Sequence, residues 1–245
     1  MTKFKIGTWV KKKDGKRGIV TDLQNRSVLV RWVGKSRAES CGTKSVVRCN
    51  PPRALVLEGS LDQWLHSTRS EEDLLRTWLE ANSVPLAYKN IHALADIRVI
   101  GRAIGKNKPL FVHISCHGNH DDEGRAYIQL GPGTGPRRYY LNSKYTTRVF
   151  KEAFEGMPLL FSACNLGKYE KEMDRFLRAT GLPCIAAFTR TIYDAEAMLF
   201  ELLLYHNVLS NGWKFETSVE KAKEALVKVG VRGDRGKSQA LVRLF

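Results

Sequence analysis

No run of eighteen or more apolar residues occurs anywhere in this 245-residue chain, which excludes an ordinary membrane-spanning helix and any membrane as expected partner. Its first residues, MTKFKIGTWVKKKDG, lack the apolar stretch of a secretory signal, so the expected address is cytoplasmic. Cysteine is scarce and scattered, with five residues at positions 41, 49, 116, 164 and 184 and no C-x-x-C pair. An odd, dispersed set excludes both a disulfide framework and a Cys-rich zinc site, and reads as reduced thiols in a reducing compartment. Acids are the minority charge, 25 Asp and Glu against 40 Lys and Arg. Internal repeats and low-complexity segments are absent as well.

What is present is the composition of a folded protein, 43% hydrophobic and 27% charged, with length enough for one or two domains. The net charge of +15 is unevenly spread. Residues 1–50 hold thirteen Lys and Arg against three acids, and so carry ten of the fifteen excess charges. Concentrated positive charge suits an acidic partner, nucleic acid or an acidic protein surface, or serves only as a soluble lysine-rich face.

That basic segment reads as a small all-β domain, residues 1–50. GTWVKK, RGIVTDL, SVLVRWV and KSVVRC are short β-rich runs, with Asp14-Gly15 and Gln24-Asn25 as turn residues between them. The spacing of Gly, Val and Trp resembles SH3-like or Tudor-like barrels. Trp9 and Trp32 are either core fillers or a ligand platform. The linker is CNPPRA at 49–54, because consecutive prolines have no N–H to donate and stop both helix and strand.

From residue 53 to 245 the texture alternates. RALVLEG, PLFVHISC, MPLLFSAC and LPCIAAFTR read as buried strands. SEEDLLRTWLEAN, with Ser70 as N-cap, HALADIRVIGRAIGKN, KYTTRVFKEAFEG and KYEKEMDRFLRATG read as helices between them. VPLAYKNI is a short extended piece, and RAYIQLGPGTGPRRYYLNS is a hairpin around a Gly/Pro turn. YDAEAMLFELLLYHNVLSNG and ETSVEKAKEALVKVG are closing helices, and QALVRLF is a candidate edge strand. Alternation of this kind predicts an α/β domain, largely parallel, with right-handed crossovers.

Two apolar runs end abruptly in reactive residues, His117-Gly118 after FVHISC and Cys164 after LLFSA. In a doubly wound sheet, functional groups collect beyond the carboxyl ends of the strands. Neighbouring strands lie about 5 Å apart, so side chains leaving two adjacent ends can meet. A thiol is a strong nucleophile only as thiolate, and an imidazole takes its proton or stabilises the anion. Donors for a tetrahedral oxyanion are then supplied by the N–H groups of Gly118 and Cys164.

HISCHG, a hairpin, a helix, then LLFSAC and PCIAAF together resemble the caspase-like cysteine peptidases of clan CD, and within them the CHAT-domain proteins. The resemblance covers residues 53–245. It implies a three-layer α/β/α sandwich of the caspase-hemoglobinase type and an endopeptidase with a Cys-His dyad, Cys164 and His117. No obligatory carboxylate, metal or organic cofactor is implied. Many such peptidases are latent until a protein partner or small anionic signal arrives, and several serve prokaryotic antiviral defence; the basic barrel is then the candidate recruiting or sensing module. Basic-specific members carry an acid two positions before the nucleophile, but that position here is Ser162. Asp121, Asp122, Asp194 and Glu196 are the other candidates to line the substrate pocket with negative charge, and Arg190 would favour an acidic residue; each is equally an ordinary surface or capping residue.

Other readings compete. Cys164 alone could be a structural thiol. His113 sits inside its strand and reads as a core histidine, whereas Cys116, Cys184, Cys41 and Cys49 read as packing or plain thiols. His113, His117, His120 and Asp121 or Asp122 could hold a divalent metal for a nuclease, although their spacing matches no recognised ligand pattern. A catalytically inactive peptidase-like scaffold is the third reading.

Overall fold

A computed structural model describes residues 4–59, 71–82, 84–105, 108–131, 137–231 and 241–245. The N-terminal strands are β1 (Trp9–Lys11), β2 (Arg17–Leu23), β3 (Ser27–Trp32), β4 (Ala38–Gly42) and β5 (Val47–Arg48). They form one antiparallel sheet in the order β4-β3-β2-β1-β5, in which β4 and β5 stand at opposite edges. The alternation of V-x-V residues places Val10, Val20, Val28, Val30 and Trp32 on one face, where they bury with Phe4, Cys41 and Val46 as a separate small core. Trp32 is therefore a core residue, its indole N–H donating to Glu39 Oε2 at 2.9 Å.

The remaining strands are β6 (Ala54–Gly59), β7 (Leu86–Ile91), β8 (Val112–Ser115), β9 (His117–His120), β10 (Ala126–Gln129), β11 (Tyr139–Tyr140), β12 (Leu159–Ser162), β13 (Ile185–Phe188) and β14 (Val242–Leu244). The helices are α1 (Glu71–Ala81), α2 (Leu94–Ile104), α3 (Lys144–Phe154), α4 (Glu170–Thr180), α5 (Asp194–Leu209) and α6 (Phe215–Lys228). A six-stranded sheet runs β14-β13-β12-β8-β6-β7, parallel throughout except for β14, which pairs antiparallel with β13 at the edge. Its central strands are buried at every residue, as a sheet covered on both faces demands.

Each strand splits its residues between two cores. Val112, Ile114, Leu159, Phe161 and Ala163 face α2, α3 and α4, where Phe150 and Phe176 stack around Phe161. Val56, Leu160 and Ala186 face α1, α5 and α6. The result is a three-layer mixed α/β unit with a mainly parallel sheet. Strand order reverses between β6 and β8, the switch point beside which α/β proteins place their sites.

Two sequence expectations need correction here. PLFVHISC stops short of His117, as read, but the parallel strand already ends at Ser115, and instead of entering a loop His117 opens β9 of a separate sheet, ordered β11-β10-β9. The chain turns because Cys116 drops into the core at 5% exposure while its N–H bonds to the Ser162 carbonyl. The expected two-stranded hairpin is accordingly three-stranded, with β9 added to β10 and β11. The Ser70 cap and the Gly/Pro turn at 132–136 lie outside the described residues.

The two units touch. Val33 belongs to the core beneath α5 and α6, and Trp9 packs against it. A Cβ on Gly15 would meet the Gly212 carbonyl oxygen at 2.6 Å, and one on Gly34 would strike Ser210. The N-terminal sheet therefore rests against the C-terminal end of α5.

Candidate active site

β12 and β8 are immediate parallel neighbours, with Ser162 opposite Ser115 and Phe161 opposite Ile114. Both leave the sheet at the same end, one residue later in each chain: Cys116 then His117 on one side, Ala163 then Cys164 on the other. The two segments are in van der Waals contact just beyond that end. A Cβ placed on Gly118 would stand 2.8 Å from the Cys164 carbonyl oxygen, 2.8 Å from Leu166 Cγ and 2.9 Å from Ala163 Cβ. Only glycine lets β9 lie this close to the cysteine turn.

The turn itself is sharp. Asn165 has φ 61° and ψ −5°, and among the described residues it is the one non-glycine at positive φ. Such a conformation is uncommon outside glycine and is tolerated best by Asn and Asp. Here the Asn165 N–H is anchored by the Arg190 carbonyl at 3.1 Å, and a single 3-10 turn, Leu166–Lys168, follows. Cys164 is thereby lifted off the strand end, half-buried, with Sγ 4.0 Å from the Ile192 carbonyl oxygen.

Donor direction follows from the strand pairing. Leu141 N–H donates to the Ala126 carbonyl, so Ala126 and, by alternation, Ile128 turn their backbone groups toward β11. Gly118 stands opposite Ile128, and its N–H consequently points away from β10, off the outer edge of β9. That is the side where the 163–166 turn lies. Among the described residues the Cys164 N–H has no hydrogen-bond partner either.

Burial pushes Cys41 and Cys49 above the usual thiol range, and burial together with the Glu216 carboxylate pushes Cys184 up to about 12. Cys116 is packed in the core. These are inert positions for thiolate chemistry.

The pocket candidates divide. Ser162 lies on the site's own strand but is 7% exposed, with its hydroxyl donating to Glu201 Oε1 at 2.6 Å. Arg190 follows β13 at the same sheet end, and its guanidinium grips Glu196 in two bonds of 2.9 and 3.0 Å. That pairing is the first cause holding the Glu196 carboxyl below its ordinary range. Asp194 is exposed in the first turn of α5, two residues past Ile192. Asp121 and Asp122 sit in the β9–β10 turn, at the opposite end of β9 from His117. Burial would raise the Asp121 carboxyl, but Arg125 at 2.7 Å prevails and keeps it low. Its charge is committed to that turn.

The histidines do not converge on one point. His113 is fully buried beneath α5, and His120 stacks on Tyr169 with ring centroids 3.9 Å apart. Among the described residues no three His, Cys, Asp or Glu side chains are grouped as a metal ion requires. Sequence reading missed a polar row under the site. Asn90, Glu58, Ser115 and Ser162 are register partners across four strands, with Glu58 at 6% exposure and accepting from the Tyr88 hydroxyl. An acid closing an apolar strand, LVLEG, was the available signal.

His120 yields a pH prediction. Burial, then Lys168, holds its pKa down to about 4 against partial opposition from Glu172 and Asp121. Unfolded, the ring titrates near 6.5. Above that pH both states are neutral and nothing is lost. As pH falls from 6.5 toward 4 the unfolded chain gains a proton that the folded chain refuses, so stability declines across that window and levels off below it. The half-buried ring sets the loss at about 1–2 kcal/mol. Thermal unfolding of His120→Phe against pH should be flatter than wild type between pH 6.5 and 4; parallel curves would refute the assignment.

No family model matches the chain. No curated protein matches it. Among solved structures it is similar to a secreted C11 cysteine protease from Bacteroides thetaiotaomicron, in complex with an irreversible peptide inhibitor, at 12% identity and a TM-score of 0.47. The match covers 79% of this chain and 65% of that one. Among the described residues no helix is long and apolar enough to cross a membrane.

Proposed function

We propose that the chain is a cysteine endopeptidase of the caspase-like, CHAT-domain type. One observation carries this: a cysteine and a histidine leave two register-paired parallel strands at the same end, with the Gly118 backbone against the cysteine carbonyl. In the reaction, Cys164 gives its proton to His117, and Sγ attacks the scissile carbonyl carbon. The N–H groups of Gly118 and Cys164 receive the oxyanion. His117 then donates the proton to the departing amine, leaving a thioester on Cys164. Water attacks that thioester with His117 as base, releasing the acid and restoring the thiol. Every step is served by this chain's own residues.

In this reading Ser162, Arg190 and Asp194 are the pocket residues. The N-terminal unit is the recruiting or sensing module, taking nucleic acid, an acidic protein or a small anionic signal on its basic surface, and the peptidase is latent until that signal arrives. Its setting is a cytoplasmic one, in prokaryotic antiviral defence. Support for coupling is the seat of that unit on the end of α5, whose other end begins beside Cys164.

The test is a cleavage profile. Lysate proteins incubated with the chain should show new N-termini that vanish when the chain is first alkylated and persist with a chelator. Loss by chelation and survival of alkylation would favour a metal-dependent enzyme instead; no new N-termini under any condition would favour a scaffold.

A further inference from the structure

Glu201 is out of place. It lies on the stripe of α5 that faces the sheet, in line with Ala197, Leu204, Tyr205 and Val208, and is 1% exposed. A carboxylate buried at such a position is costly unless its neighbours compensate it. Its Oε1 accepts the Ser162 hydroxyl at 2.6 Å and stands 3.4 Å from His113 Nε2. Tyr205, one turn along the same helix, brings its hydroxyl within 3.4 Å of His113 Nδ1. Oε2 has no hydrogen-bond partner among the described residues.

The two groups it meets are on different strands. Ser162 is two residues before Cys164 on β12, and His113 is four before His117 on β8. One oxygen of a helix side chain thus accepts a hydrogen bond from β12 and lies 3.4 Å from a ring nitrogen on β8, the two strands whose ends carry the reactive residues. Nothing in the peptidase chemistry itself uses Glu201.

We infer that Glu201 is a positioning residue: by bonding Ser162 and packing against the His113 ring it fixes the spacing of β12 against β8 just below their ends, and so the separation of thiol from imidazole. The inference rests on the cysteine-peptidase reading. A purely structural buried pair makes a different prediction, because replacing it with an apolar residue of similar size would then change melting temperature alone.

The experiment compares wild type, Glu201→Met, Glu201→Asp, Ser162→Ala and the Glu201→Met/Ser162→Ala double variant, using peptide turnover and the pH profile of iodoacetamide alkylation at Cys164. Expected for Glu201→Met is a 10- to 100-fold fall in kcat with KM within about threefold, in protein that melts cooperatively. Glu201→Asp, which keeps the charge but shortens the reach, should fall as well. The alkylation midpoint should move to higher pH, since a thiolate further from its imidazolium is less stabilised. The double variant should be no worse than the poorer single one, as partners in one hydrogen bond are not additive. Should Glu201→Met fail to fold, Ser162→Ala decides alone, by the same fall in kcat and the same shift. Wild-type kcat and an unmoved alkylation profile in a folded variant would overturn the positioning role while leaving the peptidase reading intact. A wild-type chain that neither cleaves peptide nor alkylates at Cys164 would overturn that reading itself.

Discussion

Cys164→Ala should lower peptide turnover by about 10⁴-fold or more while leaving the fold unchanged. A nucleophile and its base act as a unit, and removing either removes nearly all covalent catalysis, leaving only what binding and oxyanion donors give. His117→Ala should therefore cost about as much as Cys164→Ala, and the double variant scarcely more. Stability should hardly move, because Cys164 is half-buried at a turn and exchanging a thiol for a methyl there costs within about 1 kcal/mol. Cys116 and Cys184 provide the contrast. Both are core thiols, at 5% and 3% exposure, and Ser in their place should lower the melting temperature without abolishing turnover in the folded fraction. The measurements are kcat on a peptide, thermal unfolding, and mass-spectrometric mapping of the thiol that an acylating inhibitor labels. Full turnover in Cys164→Ala, or labelling that follows Cys116, would end the assignment.

Periodicity and apolar runs carried much of this architecture. PLFVHISC and MPLLFSAC are apolar at nearly every position, which is what burial on both faces imposes, and they proved to be adjacent parallel strands. Gly181, the last residue of KYEKEMDRFLRATG, is in the left-handed region that ends α4, with φ 68°. Other features belong to no single segment. The register that sets Ser162 opposite Ser115 pairs segments far apart in the sequence, and no local pattern encodes it. The end of β8 one residue early, at Ser115, left no local mark, because Cys116, which drops into the core there, is as apolar as a strand residue. Glu201 was legible in principle. It is the one charge on an otherwise apolar stripe 197-201-204-205-208, and a lone acid at a core position of a helix points to a partner across the interface. That partner, Ser162, was in view only as a pocket position lacking its acid.

Gly118→Ala should cut kcat by about 10²- to 10³-fold and destabilise the chain by about 1–3 kcal/mol. Alanine meets no backbone objection, since the position is an ordinary strand residue within β9. The obstacle is space. The added methyl would stand 2.8 Å from the Cys164 carbonyl oxygen, with Leu166 Cγ and Ala163 Cβ at 2.8 and 2.9 Å, all closer than real Cβ contacts allow. One of the two segments must retreat, and overpacking of this kind accounts for the stability loss. Retreat also carries the Gly118 N–H away from the oxyanion and the thiol away from the imidazole. A displacement near 1 Å costs about 10²-fold, and a mis-aimed oxyanion donor 10²- to 10³-fold. Gly42→Ala is the matched control: a Cβ there meets nothing within 4 Å, so both turnover and melting temperature should stay close to wild type. Alkylation of Cys164 should survive in Gly118→Ala, because the thiol remains accessible even when catalysis is lost. Were Gly118→Ala as active as Gly42→Ala, β9 would not lie against the cysteine turn during catalysis, and the shared reacting centre of Cys164 and His117 would have to be abandoned.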